Sequence, residues 1–192
     1  IAELYVINRV QNKLASRLDL ANIYELIGES TREVFGVNVV DIVTFEEQSG
    51  LMSMPYSYED GDTSVMSPRA PYGFRKKVLL TGEPILINQN FEQVALKNDN
   101  PLITGKWPKS AIFMPLRTSG RTAGVISIQD MRTENAFSQD NIHLLQTLAN
   151  IMAGAMENAR LFSDAKKARA EAEQANHAKS AFLANMSHEL RT

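Results

Sequence analysis

Apolar residues open the chain at helical intervals: Leu4, Ile7, Leu14 and Leu18 fall on one stripe of an amphipathic helix over residues 1–18. Asp19 stands where a helix N-cap belongs, and Leu20, Ile23, Leu26, Ile27 and Val34 continue the helical period to Gly36, a residue suited to a C-terminal stop. The period then shortens. Val37, Val39, Val40, Ile42, Val43 and Phe45 are crowded, β-branched or aromatic, which predicts a strand buried on at least one face. Gln48-Ser49-Gly50 predicts a hairpin into a second strand over 51–58, and the Asp, Gly, Ser, Thr and Pro residues of 59–71 predict a loop. A helix over 71–80 follows, with Phe74, Val78 and Leu79 on one side and Gly82 past its end, and then a short strand at 85–87. Residues 88–109 read as a polar connection, of a length that is often functional. The clearest hairpin joins 111–116 to 123–129 through Arg117-Thr118-Ser119-Gly120-Arg121.

From Ser138 the period is again helical. Ser138 is placed as N-cap, Phe137 and Ile142 can staple across it, and Ile142, Leu145, Ala149, Met152, Met156 and Ala159 keep three-four spacing. No Gly or Pro follows Gly154, so one helix is expected to run to the chain end. Beyond Phe162 the apolar positions shrink to Ala165, Ala168, Ala172 and Ala175 among Lys166, Lys167, Arg169, Glu171 and Glu173. That pattern suits a thin two-stranded coiled coil, so a homodimer through the N- and C-terminal helices is expected.

Composition removes several classes of chemistry. At 192 residues and 44% hydrophobic, the chain has the length of one domain plus an appendage. Lys and Arg number 20 against 22 for Asp and Glu, so there is no basic field to hold nucleic acid. Cysteine is absent, which excludes disulfides, thiolate nucleophiles and thioether-tethered cofactors. The three histidines are His143, His177 and His188, leaving residues 1–142 without the two commonest transition-metal ligands; no metal site is expected. The longest uncharged stretch, 141–156, is shorter than the ~20 residues that span a bilayer, so no membrane segment and a cytoplasmic location are expected. The chain reads as a piece of something longer.

The last turns carry one chemical word, Phe182-Leu183-Ala184-Asn185-Met186-Ser187-His188-Glu189-Leu190-Arg191-Thr192. On a helix, Phe182, Leu183, Met186 and Leu190 cluster on one face and His188 falls on the opposite one, with Glu189 at its edge and Thr192 one turn on. A neutral imidazole offers one ring nitrogen for attack while a neighbouring carboxylate holds the proton on the other. The word resembles the phosphoacceptor box of sensor histidine kinases. The resemblance implies that His188 is the phosphorylated residue, Glu189 its acid/base partner and Thr192 the residue that orients attack and supports dephosphorylation. It covers residues 180–192 and stops before the proline that the family places next. No Gly-rich phosphate cradle occurs, so the chain alone is expected to be inactive and to need no cofactor. ATP and Mg belong to the parent kinase, whose partner would be a response-regulator receiver domain.

The body resembles a GAF domain, a small-molecule sensor related to the PAS fold. The words that carry the likeness are Ser110-Ala111-Ile112-Phe113-Met114-Pro115-Leu116, Gly124-Val125-Ile126-Ser127-Ile128, Phe137-Ser138 with 141–149, Asp19-Leu20 to Phe35-Gly36, and Thr81-Gly82-Glu83-Pro84-Ile85. It implies an α+β fold: a central antiparallel sheet of five or six strands, terminal helices packed together on one face and a ligand pocket under the loops of the other. The division expected is an N-terminal helix at 1–18, the sensor domain at 19–160, a coiled-coil linker at 161–179 and the start of the phosphoacceptor helix at 180–192.

Among the ligands of such domains, a cysteine-linked bilin is excluded, and haem is disfavoured in a body without histidine. A methionine sulfoxide reductase-like activity is disfavoured because that chemistry uses cysteines. Asn135, Phe137 and Asp140 only echo the cyclic-nucleotide pattern. An unidentified small metabolite remains, or no ligand at all, the domain then serving as a dimerising scaffold. Tyr56, Tyr58, Tyr72, Phe74, Trp107, Phe113 and Met114 are the pocket candidates, although Phe74, Phe113 and Met114 suit an ordinary core better. Arg69, Arg75, Lys76 and Lys77 could face an anion or simply form a solvated helix face.

Overall fold

The computed structural model describes residues 7–8, 19–63, 66–102 and 105–189, with the side chains of 62, 63, 178 and 181–189 outside that description. The elements are helix α1 (Leu20–Phe35), strands β1 (Val39–Glu46), β2 (Leu51–Glu59), β3 (Asp62–Thr63) and β4 (Met66–Arg69), helix α2 (Gly73–Thr81), strand β5 (Ile85–Ile87), helix α3 (Phe91–Lys97), strands β6 (Ser110–Thr118) and β7 (Arg121–Asp130), and helix α4 (Gln139–Glu189). Of the helix predicted over 1–18, only Ile7 and Asn8 lie within the described residues; both are helical.

Local chemistry accounts for the boundaries. Asp19 caps α1 by accepting from the Ala21 backbone N–H at 3.3 Å, and Gly36 ends it at φ 61°, a left-handed conformation that costs a residue without Cβ little. At the start of α4, Ser138 and Asn141 cap each other: the Asn141 N–H donates to Ser138 Oγ at 3.3 Å and the Ser138 N–H to Asn141 Oδ1 at 2.8 Å. β6 and β7 meet through Ser119 and Gly120, both at positive φ, as a two-residue hairpin turn of the primed kind requires.

The sheet is antiparallel throughout, in the order β3-β2-β1-β7-β6-β5, with β4 also paired to β2. Two predicted connections contain structure. The stretch 59–71 holds β3 and β4, and 88–109 holds α3.

Strand alternation separates two faces. On one, Val40, Ile42, Ile112, Met114, Ile126 and Ile128 are fully buried in adjoining register. α1 packs there, close enough that a Cβ on Gly28 would stand 2.3 Å from the Tyr56 ring. The first turns of α4 bury Leu145, Leu148, Ala149 and Met152. On the other face, Ala111, Phe113, Val125 and Ile87 pack with Phe74 and Val78 of α2 and with Phe91 and Ala95 of α3. The flanking helices thus cover one side with α1 and the other with α2 and α3.

The chain divides into two compact units, 1–156 and 157–192. Within the second, α4 is helical through Glu189, and the described side chains from Leu161 to His177 are all exposed. Among the described residues no helix is long and apolar enough to cross a membrane.

Candidate functional site

A cavity of about 390 Å³ opens on the α2/α3 face of the sheet, within the size range of small-molecule sites. Its floor is strand: Val39 and Asp41 of β1, Met54, Ser57 and Glu59 of β2, Phe113 of β6 and Gln129 of β7. Its walls come from Tyr72 and Arg75 at α2, Phe91 at α3, and Asn100 to Leu102 and Lys106 to Pro108 in the connection before β6.

A carboxylate sits at the centre of this floor. Asp41 is 5% exposed in an otherwise apolar run, and a buried charge survives only when partners replace water. Four donors do so. Ser57 Oγ donates to Oδ1 at 2.8 Å, while Arg75 at 2.5 Å, Gln129 Nε2 at 3.1 Å and Ser127 Oγ at 3.4 Å share Oδ2. Strand register makes this arrangement possible, because Ser57 and Ser127 are the direct cross-strand neighbours of Asp41.

Arg75 is the fourth donor and is only partly satisfied. Its side chain is 12% exposed, and its one hydrogen bond among the described residues goes to Asp41. The Nε–H is buried with no partner among them. Leaving such a donor unmade costs roughly 1–3 kcal/mol. Position 75 therefore belongs to the cavity rather than to the solvated helix face that its neighbours Lys76 and Lys77, both exposed, do form.

The α2 end of the cavity is locked to the connection before β6. Asn100 Oδ1 accepts from the Phe74 backbone N–H at 3.1 Å. Gly73 permits that approach: it lies at φ 56°, and a Cβ there would stand 2.1 Å from Asn100 Oδ1. An aromatic row leads from the sheet to the cavity wall, Phe113 to Phe74 at 5.3 Å, Phe74 to Phe91 at 5.7 Å and Phe91 to Trp107 at 6.0 Å between ring centroids. Such pairs add directional contacts to their area burial.

The other expected pocket residues divide. Tyr72, Trp107 and Phe113 line the cavity. Phe74 is core, packed against Phe91 and Phe113 without lining it. Tyr56 and Met114 lie on the opposite, α1-covered face, because their places in the strands have the other parity. There Tyr56 Oη donates to Glu29 Oε1 at 2.8 Å, and Glu29 also accepts from Arg32 at 2.7 Å. The Arg32 hydrogen bond holds the Glu29 carboxyl below its ordinary pKa, while burial pushes the Tyr56 hydroxyl upward. Tyr58 lies under the Arg32 guanidinium, 4.6 Å from it.

His188 and Glu189 are helical in α4, their side chains outside the described residues, and Thr192 lies outside altogether. Among the described residues no group of His, Asp and Glu is arranged to hold a metal ion.

Sequence reasoning missed Asp41, Ser57 and Gln129. The available signal was a lone carboxylate between Val40 and Ile42, which in a buried strand demands a cation and further donors.

A GAF domain family model matches residues 17–157, and the chain belongs to that family. Among relatives, it is 30% identical over 144 residues, 71% of its length, to hybrid signal transduction histidine kinase G of Dictyostelium discoideum, and 46% identical over 77 residues, 37% of its length, to sensor protein TorS of Escherichia coli K12. Those matches cover only 4% and 8% of the relatives' own lengths. In fold it is similar to the GAF domain of an Acinetobacter phosphoenolpyruvate-protein phosphotransferase, with a TM-score of 0.72 at 15% identity, covering 83% of this chain and 95% of the other. It is also similar to free methionine-R-sulfoxide reductase from Neisseria meningitidis, solved with its substrate, with a TM-score of 0.68 at 16% identity, covering 83% and 90%.

Proposed function

We propose that this chain is the sensory segment of a two-component histidine kinase, in which the state of the cavity is relayed along α4 to phosphorylation of His188. The observation that carries this reading is the stitching of the cavity wall to the start of α4. Asn88 Nδ2 donates to the Phe137 carbonyl at 2.8 Å, the Asn135 N–H donates to the Asn88 carbonyl at 2.8 Å, and Gln89 Nε2 donates to Asn135 Oδ1 at 3.1 Å. Residues 88–90 lead directly into α3, whose first residue, Phe91, lines the cavity. Residues 134–137 lead directly into α4. A ligand that moves Phe91 therefore pulls on the segment that starts the long helix.

The kinase relatives support the context, and the word around His188 supplies the acceptor. ATP, Mg and a receiver domain are assigned to the parent. The second unit supports a homodimer: Leu161 and Phe162 are 52% and 53% exposed, and the alanine positions that follow have no partner surface within their own helix. A ligand can shift the helix pair only by the difference in its affinity for the two states. The scaffold alternative, in which the domain only holds two chains parallel, needs no such difference.

Single cysteines placed along 160–175 of the parent kinase, crosslinked in successive registers, test the relay. Residues 1–192 contribute no competing cysteine, and any cysteine elsewhere in the parent is replaced by serine first. Phosphorylation of His188 should rise and fall with register. Equal phosphorylation in every register would discard the relay.

A further inference from the structure

The cavity's chemistry narrows its ligand. Two acids and two bases line it, Asp41 and Glu59 against Arg75 and Lys106, so it presents no net charge to a multiply charged phosphate. Asp41 already accepts from four donors, which leaves it poorly placed to receive an ammonium. Arg75 is the opposite case: its side chain lines the cavity at 12% exposure with one hydrogen bond made, from Nη2 to Asp41. A guanidinium presents donors in a planar fork that matches a carboxylate. Asn100 adds polarity at the α2 end, its Oδ1 taken by the Phe74 N–H. Ser57 and Gln129 donate to Asp41, and the remaining lining is apolar or aromatic, including Met54, Met66, Phe91, Trp107 and Phe113.

We infer that the cavity takes a small monocarboxylic acid with an apolar or aromatic body, its carboxylate meeting Arg75 and its body lying against Trp107 and Phe91. In this arrangement Asp41 is a positioning residue: with Ser57, Ser127 and Gln129 it holds the guanidinium at the floor. The inference rests on the sensory reading of the cavity and adds the class of molecule sensed.

Isothermal titration of the 192-residue chain tests it with matched probes: a series of ω-phenyl carboxylates from phenylacetate to 4-phenylbutyrate, the amides of the same acids, and the amines of the same length. At least one carboxylate should bind, and its amide and its amine should each bind about tenfold more weakly, or worse, as the loss of a charge-assisted hydrogen bond implies. Arg75→Lys keeps the charge beside Asp41 but removes the fork. It should retain the thermal midpoint of the unliganded chain to within a few degrees and erase most of the carboxylate preference. Should Arg75→Lys not fold, the charge-neutral pair Asp41→Asn with Arg75→Met removes the fork without leaving an unpaired buried charge, and it should bind the carboxylate no better than its amide. Preference for an amide or an amine, or no binding by any carboxylate in the series, overturns the inference. These titrations involve no phosphorylation, so their failure leaves the crosslink test of the relay untouched, and a failed relay leaves the affinity ranking untouched.

Discussion

Val40 and Ile42 leave one side of β1 and Asp41 leaves the other, and the two sides of the sheet are filled by different rules. Toward α1 the cross-strand neighbours are Ile126 and Ile128, then Ile112 and Met114, all fully buried and none in need of a polar partner. Toward the cavity the neighbours of Asp41 are Ser57 and Ser127, and both of its carboxylate oxygens accept, from four donors on β2, β7 and α2. The first face is held by area and volume, which tolerate imprecision in direction. The second is held by a converging set of hydrogen bonds, which do not. A domain can in this way keep a stable body while the opposite surface of the same strands stays chemically specific.

The largest expected effect comes from breaking the polar side. Asp41→Ala strands the buried Arg75 guanidinium and should cost about 3–5 kcal/mol in a urea denaturation series. The double variant Asp41→Asn with Arg75→Met should recover much of that loss, since removing both charges avoids an unpaired one. Equal losses in the single and double variants would show that charge is not what organises this face. Ile126→Ala probes the apolar side and should cost about 2–5 kcal/mol, with no recovery from any second substitution on the cavity side. Gly28→Ala, which drives a methyl into the Tyr56 ring, should cost about 1–3 kcal/mol and be relieved in part by Tyr56→Leu.

The smallest effect is a pH dependence. The folded pKa of Glu29 lies below its ordinary value of 4.5, chiefly through the Arg32 hydrogen bond. Its contribution is therefore present above the unfolded pKa and fades as pH falls through the folded one. Compared with Glu29→Gln, the parent chain should lose slightly more stability on acidification from pH 5 to pH 3. The difference should shrink in high salt, because the pair is more than a third exposed on the Glu29 side.

What the sequence made legible was local, and what it hid was long-range. The caps at Asp19, Gly36 and Ser138 each depend on residues within a few positions, and all three stand where residue type placed them. The β6–β7 hairpin is announced by Ser119-Gly120 between two apolar runs. By contrast, α3 is seven residues long and buries only Phe91 and Ala95, too little period to rise above a polar connection. β3 and β4 exist only because β2 offers them an edge. Arg75 is indistinguishable from Lys76 and Lys77 until β1, 34 residues earlier, supplies its partner. Tyr56 and Met114 suit a pocket by residue type but stand on the α1 side, because one step in strand parity decides which face a side chain meets.

Trp107 has one more consequence. It is the chain's single tryptophan, and it stands in the cavity wall beside Phe91. Excited at long ultraviolet wavelengths, the whole molecule emits from that one indole, so its colour and quenching report the polarity of a single place. The domain carries its own optical probe at the spot where occupancy would be felt first, and needs no label to be watched.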